Sequence, residues 1–212
     1  MLQVDRYFRP LETKDILNRV MSSHYSDDGM QQIGLFFPAE LNKTASIVPF
    51  GDEISEINIK NSLKNNLKVD AGKGGMAVQS SIVLSCSVFD CDNGLVAEYR
   101  FKRYGEKWNT VRENVKNMNL NLKRGDVLNY LRIYPENAEA KTFIYDRYGN
   151  LIQIVSENNL SAFYEYNPFG QLIQSRNDDG VSFKSHHREF TNDDRGEVPW
   201  NESVILSSSS GN

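Results

Sequence analysis

The sequence predicts a mostly β protein. It reads as a jelly-roll-like antiparallel β-sandwich over about residues 45–135, followed by a small sheet of two β-hairpins over about 140–190. Three observations carry that expectation. Short apolar runs alternate with polar residues along most of the chain, which is the two-residue period of a half-buried strand. Turn-forming Asn, Asp and Gly separate those runs at short intervals. One ten-residue stretch is also written twice: YDRYGNLIQI from Tyr145 and YNPFGQLIQS from Tyr166, an ungapped offset of 21.

The elements follow in chain order. LETKDILNRVMSSH, residues 11–24, has apolar positions at helical spacing (Ile16, Leu17, Val20, Met21) with Thr13 as a cap, and predicts a short helix. YSDDGMQQIGLFFP has Tyr25 and Gly29 at the spacing of Tyr145 and Gly149. It reads as an eroded hairpin of the same kind, followed by an apolar strand at 33–37. These features form an N-terminal segment over 1–44. Residues 38–75 are polar with isolated Ile54, Ile57 and Ile59, and Gly72-Lys-Gly-Gly75 lacks the spacing of a phosphate-cradling loop. From Met76 the β signal strengthens. VQSSIVLSCSVFD places Ile82, Leu84, Cys86 and Val88 on one face, and Asp92-Asn93-Gly94 is a hairpin turn. LVAEYRFKRY returns with Leu95, Ala97, Tyr99 and Phe101 on one face. Trp108, Val111 and Val115 come next, and Arg124-Gly125-Asp126 turns the chain. VLNYLRIYP then sets Leu128, Tyr130, Arg132 and Tyr134 against Val127, Leu131 and Ile133. Beyond Phe190 the pattern fades, and residues 191–212 read as an irregular tail apart from the short run Val204–Leu206.

Each repeat copy has an internal logic. Tyr145 or Tyr166 ends a strand. Asp146 or Asn167 bonds its own backbone across the turn, Tyr148 or Phe169 comes two places later, and Gly149 or Gly170 supplies positive φ. An apolar run then starts the return strand, and Asn158-Asn159 and Asp178-Asp179-Gly180 turn the chain onward. One hairpin is marginal in water, so the copies must stack, with Tyr145, Tyr148, Tyr166 and Phe169 expected as a cross-strand ladder of rings.

The two copies resemble the YD repeat of the RHS family, whose signature is close to Tyr-Asp-x-x-Gly-Arg/Asn-Leu. The segment from Leu131 to Gly180, which begins LRIYPENAEAKTFIYDRYGN, looks like the closing segment of large RHS-like surface proteins of Bacteroidota. SHYSDDGMQQIG is similar to an element found earlier in such proteins. Asn167 and Gln171 depart from the pattern, and the Pro/Asp-Pro core terminus of polymorphic toxins is missing. The resemblance implies a non-enzymatic structural or interaction module at a cell surface or in secretion, presenting its sandwich to a protein partner or a surface glycan, within a larger assembly. A carbohydrate-binding module proper and a piece of a secretion or toxin-delivery assembly are the alternatives.

Composition narrows the chemistry. A net charge of −4 with no Lys/Arg stripe argues against nucleic acid. No apolar run is long enough for a membrane helix, and the first twenty residues lack the apolar core of a secretion signal. Read literally the chain is cytosolic; read as a piece of a longer protein it is exported. Cys86 and Cys91, five apart, point to opposite faces of a straight strand; free thiols are expected, although a bulge could join them. His24, His186 and His187 have no carboxylate at useful spacing, so no metal or cofactor is expected. No Gly-x-Ser-x-Gly is present, and the acidic pairs sit in turn-like settings, so no catalytic residue is expected. The ligand-binding candidates are exposed rings on or near the sandwich: Tyr99, Tyr104 and Trp108. Burial in the core is the competing reading for each.

Overall fold

The local rule read in two turns recurs in seven. A computed structural model describes residues 3–26, 29–49, 67–70, 75–80, 83–84, 94–115, 118–120, 122–187 and 203–205. Turns led by Asp5, Asp15, Ser26, Asp146, Ser156, Asn167 and Asn177 share one backbone pattern. The carbonyl of the leading residue accepts the N–H three residues on, and its N–H donates to the carbonyl four residues on, five in the longer Ser26 turn. The residue three places on has positive φ in every case: Phe8, Asn18, Gly29, Gly149, Asn159, Gly170 and Gly180. In the six shorter turns this is a type I turn closed by a glycine-type bulge, a standard three-residue hairpin connection.

Side chains lock the same geometry. Asp146 Oδ1 accepts from the N–H groups of Tyr148 (2.8 Å) and Asn150 (2.9 Å). Asn167 Oδ1 accepts from Phe169 and Gln171, both at 3.0 Å. The second side-chain atom explains the departures from the repeat signature. Asp146 Oδ2 accepts from the Asn150 amide at 2.9 Å, whereas the Asn167 amide donates to Gln171 Oε1 at 2.9 Å. Replacing Asp by Asn turns an acceptor into a donor, and the partner four residues on changes to match.

In chain order the strands are β1 (Gln3–Val4), β2 (Pro10–Lys14), β3 (Val20–Tyr25), β4 (Gln32–Phe37), β5 (Ala45–Ile47), β6 (Leu67–Asp70), β7 (Gly75–Val78), β8 (Val83–Leu84) and β9 (Leu95–Lys102). They continue with β10 (Asn109–Asn114), β11 (Met118–Asn119), β12 (Val127–Pro135), β13 (Glu139–Tyr145), β14 (Leu151–Val155), β15 (Ser161–Tyr166), β16 (Leu172–Asn177), β17 (Ser182–His187) and β18 (Ser203–Ile205). Ten of them form one antiparallel sheet in the order β1-β2-β3-β4-β13-β14-β15-β16-β17-β18. β4 pairs directly with β13, Phe37 opposite Glu139, so the chain leaves the sheet after Phe37 and rejoins it on the neighbouring strand at Glu139. A second antiparallel sheet, β10-β9-β12-β7-β6 with β5 also on β12, is built from that excursion, and β8 pairs with β11. Among the described residues the molecule is almost all β, in two large antiparallel sheets and the short β8–β11 pair.

Residues 11–24 are not a helix. They form β2, a turn and most of β3, paired Glu12 to Ser22. Asp15 Oδ1 accepts from the backbone N–H groups of Leu17 and Arg19, and Asn18 sits at φ 60°. The Arg19 N–H is the chief cause that holds the Asp15 carboxyl below its ordinary range, against an opposing desolvation. Ile16 and Leu17, which completed the helical pattern, lie exposed on the turn. The hairpin expected after Tyr25 is present, but as part of the ten-stranded sheet together with the C-terminal hairpins. In the expected tail, Ser203–Ile205 pairs with His187–Ser185 as an edge strand.

The second sheet has two faces. Leu95, Ala97, Tyr99 and Phe101 of β9 face a core shared with β5, β7, Val115, Leu120 and Leu122. The opposite residues of β9 and β12 face the long sheet. Val96 and Tyr134 pack with Phe36 and Ala140, while Tyr130 packs with Ile33, Ile144 and Val155. Leu128 belongs with Leu131 and Ile133, not with Tyr130, because a register shift between Leu128 and Tyr130 moves it to the other face. Gly75 is required where β7 meets β12: a Cβ there would stand 2.6 Å from the Leu128 carbonyl oxygen.

Candidate functional site

Two arginines on the second sheet reach into the long one. They lie on adjacent strands and on the same face: Arg132 pairs across from Glu98, and Arg100 across from Tyr130. Arg132 is fully buried. Its guanidinium meets Glu98 Oε1 (2.6–2.7 Å), the carbonyls of Ala140 (2.7 Å) and Ser156 (3.1 Å), and Asn159 Oδ1 (2.6 Å). The hydroxyls of Tyr130 and Tyr134 also donate to the Glu98 carboxylate, at 3.3 and 2.8 Å. Arg100 repeats the device one turn along. It pairs with Asp178 at 2.6 Å and donates to Ser161 Oγ at 2.9 Å.

Around Arg100 the sheets part. A cleft of about 280 Å³ opens there, lined from the second sheet by Arg100, Trp108 and Asn129, and from the long sheet by Ile152, Gln153, Phe163, Tyr164, Glu165 and Arg176. The guanidinium of Arg100 lies between two rings, 5.7 Å from Trp108 and 5.6 Å from Phe163. Arg176 covers Phe163 at 4.8 Å and pairs with Glu165 at 3.1 Å. Such stacking immobilises guanidiniums while keeping their N–H edges available. Gln153, almost fully buried, donates to Ser161 Oγ at 3.1 Å and is fixed from behind.

Of the sequence-derived candidates, Trp108 lines this cleft, half-buried. Tyr99 does not: it is at 0% exposure, and its hydroxyl donates to Glu113 Oε1 at 2.7 Å, so it presents no face to a ligand. Tyr104 is fully exposed beside Gly105 (φ 77°) at the tip of the turn joining β9 and β10. The expected ring ladder is also corrected. Tyr145 and Tyr166 are half-buried, and the Tyr166 hydroxyl donates to the Leu151 carbonyl at 2.9 Å. Tyr148 and Phe169 are 73% and 88% exposed, because the third position of this turn points off the end of the strands. Asp146, Asn167, Gly149 and Gly170 hold the turns of the repeat. Cys86 and Cys91 lie outside the described residues, as do residues 50–66, the Gly72–Gly74 loop and the side chains of His186 and His187.

His24 belongs to the packing and not to the cleft. It is 3% exposed, bonded through Nε2 to Thr44 Oγ1 at 2.8 Å and edge-on to Phe36. Burial pushes its pKa down to about 3, so the ring is neutral across the physiological range. Among the described residues no three His, Cys, Asp or Glu side chains are grouped to hold a metal, and no helix is long and apolar enough to cross a membrane. A second hollow, of about 370 Å³ beside Pro38 and Pro135, carries the Lys43–Glu40 ion pair (3.0 Å) and no ring.

Sequence reasoning missed Phe163, Arg176 and Arg100 as cleft residues. Alternation along LVAEYRFK sets Arg100 opposite Leu95, Ala97, Tyr99 and Phe101, on the face with Glu98 and Lys102, so the pattern carried no signal that this arginine is covered. Phe163 and Arg176 carried none, because only the docking of one sheet on the other brings them to Trp108.

Fold and site together define a two-sheet, all-β protein with an aromatic and charge-paired cleft at the junction of the sheets. No family model matches the chain, and no curated protein matches it either.

Proposed function

We propose that this chain is a non-enzymatic structural and interaction module of an RHS-like bacterial surface or secreted protein, in which a wall of hairpins holds a second β unit that meets a glycan or protein partner. The observation that carries the reading is the cleft: nine residues from two sheets line a space of ligand size. Both nearby carboxylates, Glu165 and Asp178, are engaged by guanidiniums. Support for the RHS-like affiliation is the tyrosine-led repeat and the recurrence of its turn every ten or eleven residues at 146, 156, 167 and 177.

A carbohydrate-binding module proper is the nearest alternative, and the rings of the cleft favour it. A second reading, a subunit of a secretion or toxin-delivery assembly, is favoured by a different observation. Tyr7, Met30, Tyr148 and Phe169 stand exposed on turns at one end of the long sheet. Hairpins at that end are about 10 Å apart, two strand spacings.

Retention on immobilised protein separates these readings. Wild-type chain and the Trp108→Leu variant are each challenged with bacterial envelope polysaccharide and with envelope proteins. Retention that the variant loses supports an interaction module acting through the cleft. Equal retention by both chains moves the function to the turn tips, and no retention by either sinks the proposal.

A further inference from the structure

We infer that the cleft binds a single uncharged pyranose ring, a sugar unit carrying neither carboxylate nor phosphate. The inference deepens the proposed function and rests on it, since it names the chemistry of the partner at that same site.

Size is the first argument. About 280 Å³ lies at the lower end of small-molecule sites, enough for one six-membered ring with its substituents and too small for a folded peptide element. Charge is the second. The cleft contains two guanidiniums, and each already has its carboxylate: Arg100 with Asp178 at 2.6 Å and Arg176 with Glu165 at 3.1 Å. The local charge sums to zero, so an anion entering would find no uncompensated cation and would face the Glu165 carboxylate. That argues against a phosphate or an acidic sugar as the preferred occupant.

Chemistry of the lining is the third. Trp108 and Phe163 line the cleft with apolar ring surface beside the guanidiniums that partly cover them, which suits the C–H face of a pyranose. Planar polar groups surround them: the Gln153 and Asn129 amides, the Glu165 carboxylate and the guanidinium edges. Groups of this type present paired donors and acceptors in a plane, which is what adjacent hydroxyls on a sugar require. Rigidity is the fourth. Gln153 is tied to Ser161, Arg100 is tied to Ser161 and Asp178, and both arginines lie on Phe163. A pre-ordered polar lining loses little entropy on binding, which is how a small uncharged ligand is held at all.

The lining comes from both sheets, so a bound sugar bridges them and favours the docked state. Binding therefore raises the unfolding temperature by mass action.

Intrinsic fluorescence tests this directly. The two tryptophans are Trp108 and Trp200, so the Trp200→Phe variant makes Trp108 the sole reporter. It is titrated with methyl glycosides of glucose, galactose and mannose, with N-acetylglucosamine, and with glucuronate and inorganic phosphate as charged probes. The expected result is a saturable change with at least one uncharged sugar, at a dissociation constant of about 1 mM, and at least tenfold weaker binding of both charged probes. Arg176→Gln, at a rim position that leaves the core untouched, is expected to weaken the sugar at least fivefold with an unchanged melting curve. In wild-type chain, saturating sugar is expected to raise the unfolding temperature. Binding of glucuronate or phosphate as tight as that of the sugars overturns the inference in favour of an anion site. Absence of any response up to 100-fold the expected constant overturns it outright. Trp108-dependent retention of an envelope protein without any sugar response also overturns it, while leaving the interaction-module reading standing. A sugar response with no envelope retention upholds the inference and removes the surface-module reading.

Discussion

Arg132 and Arg100 are the same device in two settings. Each projects from the second sheet toward the long one, each has a carboxylate partner, and each reaches a turn region of the hairpin wall, 156–159 for Arg132 and Asp178 for Arg100. Around Arg132 the sheets close completely. The guanidinium is at 0% exposure, its carboxylate at 1%, and two tyrosine hydroxyls complete the carboxylate. Around Arg100 they stay apart, and the side chains of Arg100 and Asp178 keep 12% and 31% exposure. An inward arginine is therefore not itself a functional signal. Where packing satisfies every donor, the group organises the fold; where packing leaves ring faces and polar edges open to a cleft, the same group can serve a ligand.

Breaking the closed centre is expected to cost most. Arg132→Met leaves the Glu98 carboxylate buried without its cation, and a loss of about 3–5 kcal/mol in a urea-unfolding experiment is expected. The double change Arg132→Met with Glu98→Leu is expected to recover most of it, because the buried charge is then gone. A double variant as unstable as the single one would mean that the ion pair is not what makes this centre costly to break.

A buried polar group without any charge partner gives an intermediate case. His24 has its pKa lowered to about 3 by burial in the folded state, against an ordinary value of about 6.5 when unfolded. The unfolded chain therefore binds the extra proton first as pH falls. Stability contributed by the neutral ring is whole above about pH 6.5 and declines toward pH 3, at up to about 1.4 kcal/mol per pH unit. Thermal unfolding followed from pH 7 to pH 5 is expected to show this decline, and His24→Gln to flatten it. A wild-type curve already flat over that window would place the histidine outside the sealed interior.

Least is lost at the open site. Arg100→Gln removes one ion pair that water still reaches, and a stability loss of about 1–2 kcal/mol is expected in the same urea experiment. Equal losses at Arg100 and Arg132 would erase the distinction between a structural centre and a binding cleft.

Much of this architecture could be read from the residues alone. Turn chemistry is local: an Asp or Asn oxygen, its own downstream N–H groups and a residue of positive φ lie within five positions, so Tyr145–Gly149 and Tyr166–Gly170 mark hairpins in the sequence itself. One buried face of β9, Leu95 to Phe101 at alternate positions, followed from alternation for the same reason, whereas the covering of its other face did not. Tertiary pairing decided the rest. Ile16 and Leu17 fit a helix by spacing, yet pairing of β2 and β3 within a large sheet left them on a turn. One extra residue between Leu128 and Tyr130 reversed a side-chain face, and a bulge of that kind has no composition of its own. The joining of β4 to β13 across about a hundred residues, and with it the cleft where Trp108 meets Phe163, depends on apolar faces covering one another. Hydrophobic burial has no direction along the chain, so a sequence shows which faces must be hidden but not which distant face will hide them.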